Sequence, residues 1–224
     1  MGSPHGRVVK FLIVATALAA TAGLAAGCGD DDDDGGGGSS SGGADNAVEL
    51  SGRIDQVGPK FTGYGFITGL EGVDPQALTE TGGSEISEKD ARLTFVFETG
   101  LTSRAIVGDS FSVATEGELT FYLDDQPGAD LADSDSFASG EEVAKGTLRV
   151  TNVVTVYAPD SGIATATGEL ELDDSSSFDL GGEDASIGDS GGSYRVTLTG
   201  RGTRTDAVIP ESNFDFAGQL VAAD

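Results

Sequence analysis

The chain is short of the residues on which most enzymes depend. Its 224 residues include one histidine, one methionine, one cysteine and no tryptophan. His5 and Met1 both fall within the first 27 positions, so residues 28–224 contain no His, Met or Trp. Without an imidazole base, nucleophile systems of the Ser-His-Asp or Cys-His kind are excluded from that part. Zinc, copper and non-haem iron sites, which rest on histidine or several cysteines, are excluded with them. One cysteine cannot form an intramolecular disulfide, so any fold must be held by its core. Positive charge is the other shortage: 12 Lys and Arg face 38 Asp and Glu, a net charge of −26. Phosphate contact needs clustered cations, which makes nucleic acid and anionic lipid surfaces poor partners. No catalytic residue, cofactor-binding residue or metal-ligand set stands out.

Long apolar runs are scarce too, and the one present opens the chain. Arg7 and Lys10 are followed by Phe11–Gly27, which is free of charge, dominated by Ala, Leu, Val and Ile, and leads into Leu24-Ala25-Ala26-Gly27-Cys28. This is the charged start, apolar middle and small-residue end of a secretory signal. The junction resembles the lipobox of bacterial lipoproteins, with Ala25 where Leu is commonest. The resemblance implies that residues 1–27 are removed. Cys28 would then carry fatty acid of the palmitate kind, and the protein would be lipid-anchored at the extracytoplasmic face of the cell membrane. The alternatives are free secretion and an uncleaved anchor helix, though for the latter the run is slightly short of the roughly 20 residues a span requires. Residues 28–45 continue as Cys-Gly, five aspartates and a Gly/Ser tract. With no apolar side chain larger than Ala after Cys28, this segment is expected to be a disordered tether, with a root-mean-square reach of roughly 20–25 Å.

From Asn46 onward the pattern has a period of two. Val48, Leu50 and Ile54 alternate with Glu49, Ser51 and Arg53, and Leu93, Phe95 and Phe97 with Thr94 and Glu98. The same pattern marks Leu119–Leu123, Leu148–Val156, Ala164–Leu172 and Tyr194–Leu198, with shorter candidates at Phe61–Thr68, Ser103–Val107, Phe111–Thr115 and Phe214–Val221. Alternation predicts half-buried strands. The nearest approach to a helix is one turn after Asp74, with Pro75 in first place. Eight to ten antiparallel strands in residues 46–224 predict a single all-β domain, either an antiparallel β-barrel or, as the alternative, a two-sheet β-sandwich. The barrel is preferred because several strands are long and Ala164, Ala166, Gly168 and Gly200 are small on the inward side. The paired long strands around Gly146–Leu172 and the glycine-rich hairpins resemble secreted β-barrels of the allene-oxide-cyclase and dirigent kind.

Two acid-rich stretches, Asp124–Glu142 and Asp173–Ser193, read as solvated surface loops. An EF-hand count from Asp133 places Phe137 and Ala144 at ligand positions, so no calcium frame fits. Tyr122 and Tyr157 fall on the polar side of their strands, whereas Asn152 and Tyr194 take the inward phase and read as a satisfied core amide and a core ring. Paired carboxylates can cleave glycosides without histidine, but with 38 acids proximity alone is uninformative, and enzymatic activity is not assigned. Two functions fit: a membrane-tethered, non-enzymatic binding or structural domain, or a small-ligand barrel acting as carrier or cyclase-like enzyme. The expected partners are the membrane, through the lipid, and a small apolar ligand or cell-envelope component, with the domain itself a monomer. The two readings differ in the lumen, which is filled in the first and hollow by a few hundred cubic ångströms in the second.

Overall fold

Alternating side chains become strands throughout the computed structural model, which describes residues 46–83, 85–206, 208 and 210–223. The signal-like segment, Cys28 and the Asp/Gly/Ser tract lie outside the described residues. Ten strands follow in order: β1 (Asn46–Val57), β2 (Lys60–Leu70), β3 (Leu93–Val107), β4 (Ser110–Leu123), β5 (Glu141–Ala158), β6 (Ser161–Ser175), β7 (Phe178–Leu180), β8 (Glu183–Ala185), β9 (Ser193–Asp206) and β10 (Glu211–Ala222). Eight of them close into a barrel, β1-β10-β9-β6-β5-β4-β3-β2, every pair antiparallel. The sheet thus closes on itself and is not divided into two faces of a sandwich. β7 and β8 form a separate small hairpin between β6 and β9.

Closure depends on glycine at close approaches. Gly52, Gly65, Gly117, Gly146, Gly168, Gly200 and Gly218 lie one on each barrel strand except β3, and a Cβ on any of them would run into a backbone carbonyl of the neighbouring strand. Removing the side chain there lets adjacent strands coil sharply against each other. The vacated space is taken by rings. Phe97 lies across Gly63 and Phe95 across Gly65, each directly opposite its glycine in the β2–β3 register. Phe214 covers Gly202 in the same manner between β10 and β9.

Inside the barrel, Phe95 meets Phe121 at 6.4 Å and Phe216 at 6.2 Å between ring centroids, and Phe97 meets Phe216 at 6.4 Å. Leu119, Leu148, Leu170, Val196 and Leu198 complete a continuous buried cluster drawn from all eight strands. Each such side chain contributes roughly 1.5–3 kcal/mol on leaving water. The lumen at this level is therefore packed core.

The two ends of the barrel differ. At one, consecutive strands turn tightly at Gly58–Pro59, Gly108–Asp109 and Pro159–Asp160, and Asp206 at the end of β9 pairs with Glu211 at the start of β10. Gly58 and Gly108 hold φ near +59°, and Asp160 takes the same left-handed region at 58°, where glycine and aspartate carry the least steric penalty. At the other end lie the long connections and the paired start and finish of the domain, Asn46 opposite Val221. Leu78, Leu180 and Ile187 from those connections are fully buried against Val48, Leu70, Leu172 and Leu220, which plugs that end. The turn after Asp74 is a 3-10 helix, Pro75–Leu78, whose start Asp74 caps by accepting from the Gln76 N–H at 2.9 Å.

Four details depart from the sequence expectation. The separate candidates at Leu93–Phe97 and Ser103–Val107 are one strand, β3, with a bulge between Leu101 and Ser103. Those at Phe111–Thr115 and Leu119–Leu123 likewise run together as β4. Asp124–Glu142 is not simply a solvated loop. Its Phe137 is fully buried on the outer face of the barrel, where Tyr64, Phe66, Ala91 and Ala129 form a second apolar cluster. Asp173–Ser193 contains the β7–β8 hairpin, which supplies Phe178 and Leu180 to the plug.

Candidate interaction surface at the hairpin end

Charge is divided unevenly between the two ends. The four hairpin ends, taken as residues 55–63, 99–115, 151–166 and 200–214, carry Lys60, Arg104, Arg201 and Arg204 against Asp55, Asp109, Asp160, Asp206 and Glu211. The rest of residues 46–224 holds six cations and 27 acids. The tight-turn end is thus close to neutral, and the net negative charge of the domain lies on the barrel wall and the long connections.

Apolar exposure is divided the opposite way. Val57, Ile106, Val107, Val156, Tyr157 and Val208 are exposed at the four turns, with Val107 at 78% and Val208 at 93%. The remaining large exposed hydrophobics among the described residues, Leu101, Val153 and Ile163, lie just below them in the same half. Exposed apolar side chains are thus gathered at one end of an otherwise highly charged domain, a distribution found at contact surfaces.

The mouth inside the rim is lined by Ile54, Phe111, Val113, Val154 and Phe214, all half-buried. The Arg104 guanidinium lies 5.2 Å from the centre of the Phe111 ring, so its charge is folded inward over an aromatic face. Asn152 takes the inward phase as expected, but its buried Oδ1 has no hydrogen-bond partner. The satisfied amide expected from the sequence is therefore half satisfied at best, and an uncompensated buried acceptor costs about 1–3 kcal/mol.

On the outer wall a groove of about 560 Å³ crosses β4, β5, β6 and β9, bounded by Glu116, Arg149, Glu169 and Arg195 with Thr151 and Thr167 beside them. Arg149 bridges Glu171 at 3.1 Å and Glu116 at 3.5 Å. These contacts, the hydrogen bond to Glu171 foremost, raise its already high pKa. A smaller hollow of about 260 Å³ at the plugged end is lined largely by serines, including Ser175, Ser176, Ser186 and Ser190.

The most perturbed side chain is Tyr64, which points outward from β2 beneath Phe137, 5.2 Å between ring centres. Its hydroxyl donates to Asp55 Oδ2 at 2.7 Å and lies 3.3 Å from the Leu131 carbonyl. Burial first, and then the hydrogen bond and charge of Asp55, push its pKa up to about 12. Beside it Arg53 pairs with Asp215 at 2.9 Å and also reaches the Leu131 carbonyl. This constellation latches the 124–140 strap to the wall. It offers no open face to a substrate.

The acid-rich connections use their carboxylates for turns. Asp124 accepts from the Gln126 N–H, Asp130 from Ala132, Asp133 from Asp135 and Asp179 from Gly182. Among the described residues no three acids, histidines or cysteines converge as a metal ion would require. Tyr157 stands exposed at the rim, Tyr122 is half-buried, and Tyr194 is buried on the inward phase, where burial raises its pKa. The rim and the wall latch were not visible as sites in the sequence. Their signal lies in apolar residues on the polar phase, such as Val153 and Ile163, and in Tyr64 and Phe66 opposite an inward face that is also apolar. No family model, no curated protein and no solved structure matches this chain.

Proposed function

We propose that the protein is a lipid-tethered, extracytoplasmic, non-enzymatic binding module, fixed to the membrane through Cys28 and meeting its partner with the hairpin end of the barrel. The observation that carries this reading is the filled lumen. Phe95, Phe97, Phe121 and Phe216 occupy the space in which a carrier would hold its ligand, and the apolar surface left over lies on the outside, at the rim. The Cys28 tether rests on the lipobox-like junction.

The orphaned Asn152 Oδ1 favours a second, narrower reading, in which a small donor-bearing apolar molecule sits shallowly in the mouth. One experiment separates them. The full chain bearing Cys28→Ser is expected to leave the membrane fraction, take up no labelled palmitate, and show no saturable binding of a fluorescent fatty alcohol, whose hydroxyl can donate to Oδ1. Retention on membranes would refute the tether. Stoichiometric probe binding that is lost in Asn152→Leu would replace the contact-surface reading by the carrier one.

A further inference from the structure

The rim contains one stretch of backbone with no neighbour. β2 stops pairing with β3 at Lys60 opposite Gly100, and the last contact on that side is the Leu101 N–H donating to the Pro59 carbonyl at 2.8 Å. β3 nevertheless continues to Val107, paired only with β4. Among the described residues, Thr102–Val107 is therefore a bare strand edge of six residues, all exposed. The step is large because the barrel staggers most of its register at this one junction. The corresponding overhangs of β5 past β4 and β9 past β6 are about three residues each.

Such an edge calls for a strand. Lipid cannot satisfy open backbone N–H and C=O groups, since bare sheet edges are not tolerated in hydrocarbon. The usual protections are also thin here. Thr102–Val107 has no proline, lysine or acid, its one charge is Arg104 laid over Phe111, and a bulge at Leu101/Ser103 twists only the beginning.

We propose that this edge pairs antiparallel with the same edge of a second copy of the chain. The proposal rests on the reading of the hairpin end as a contact surface and names its partner. A two-fold contact places the same segment on both sides. Centred on Ala105, it sets Arg104 opposite Ile106 and Ser103 opposite Val107, and brings the Gly108–Asp109 turn of each copy against the Pro59–Lys60 turn of the other, an acid toward a lysine. Charge decides which end can meet. Two copies approaching by their plugged ends would confront the acid-rich connections, Asp124–Glu142 and Asp173–Ser193, with their own copies. Approaching by the rims, they keep those acids a barrel length apart, beyond the roughly 8 Å over which exposed charges act at physiological salt. Six residues of pairing make a small interface, so the dimer is weak in free solution and populated where chains are concentrated on one surface. The monomer expected from the sequence becomes the dilute limit.

The test uses the full chain with Cys28→Ser, which is free of thiol, and adds single cysteines at exposed positions. Ala105→Cys is expected to cross-link to a dimer under mild oxidation, at a rate at least tenfold above Thr165→Cys on the outer wall. Sedimentation equilibrium of the Cys28→Ser chain should show dimer growing with concentration across 10 μM to 1 mM. Adding Ala105→Glu, which sets two acids face to face, should raise the dissociation constant at least tenfold, while Ala105→Ser leaves it within twofold. Equal cross-linking at positions 105 and 165, or a pure monomer at 1 mM, overturns the proposal. Because Cys28 is replaced throughout, neither result depends on the tether. A monomer whose rim variants still lose another partner would leave the contact surface standing and remove only the second copy as its occupant.

Discussion

Substituting alanine at two glycines should move stability in opposite directions, and the difference can be worked out from the wall of the barrel. At Gly168 an added Cβ collides with the Arg149 carbonyl across the β5–β6 ladder and stands 2.7 Å from both Val150 Cα and Val150 Cγ1, where ordinary contact begins at 3.4 Å. The first two atoms are backbone and the carbonyl oxygen is the closer, so β5 and β6 must separate by more than about 0.7 Å locally or lose pairing. Overpacking of this kind costs about 1–3 kcal/mol, and one ladder hydrogen bond weakened alongside adds about 1 kcal/mol. A loss near 3 kcal/mol follows. For a domain of this size each kcal/mol shifts the melting temperature by about 2–4 °C, so Gly168→Ala should melt roughly 6–12 °C lower. At Gly100 nothing lies within 4 Å of the same atom and the backbone is ordinary. There alanine only reduces the freedom of the unfolded chain, a gain of about 0.4–1 kcal/mol, and the melting temperature should rise by one to four degrees. Differential scanning calorimetry of both variants decides the matter. A Gly168→Ala chain that melts within a degree of the parent would refute the close-approach account of closure.

Asn152→Leu should stabilise the domain by about 1 kcal/mol in urea denaturation, because it removes a buried acceptor without a partner, and destabilisation would show that Oδ1 is satisfied. Tyr64 gives a pH signature. Its folded pKa lies above its unfolded value, so the stability it lends is complete below pH 10 and is lost as pH rises from about 10 through about 12. In Tyr64→Phe the fall of stability across that window should be shallower, and the phenolate absorbance should lose its latest-titrating component; unchanged curves would rule out the buried Tyr64–Asp55 contact.

How far the fold could be read from the sequence depends on how many faces each strand buries. Where a strand has core on one side and water on the other, as in Leu148–Leu172, alternation exposes it directly, and the inward alanines and glycines indicate curvature. β2 is harder. Tyr64, Phe66 and Ile67 are apolar on both phases because the 124–140 strap covers the outer face, and no local pattern says which distant loop provides that cover. Phe137 inside an acid-rich stretch was the available hint, overridden by the charges around it. The uncovered edge of β3 was not legible at all, because it arises from register between strands, and register follows from closure of the whole ring rather than from any one segment.

Asn46 lies opposite Val221, so the chain enters and leaves the barrel side by side. A short bridge between those ends would make the domain an uninterrupted loop, and new ends could then be cut at Pro159–Asp160, an exposed turn on the opposite pole. Such a circular permutant would keep every strand neighbour while moving its attachment point from the acid-rich pole to the apolar one. The orientation in which the barrel faces its surroundings is thus separable from its fold. In the natural order of strands, both ends of the domain lie at the pole opposite the rim.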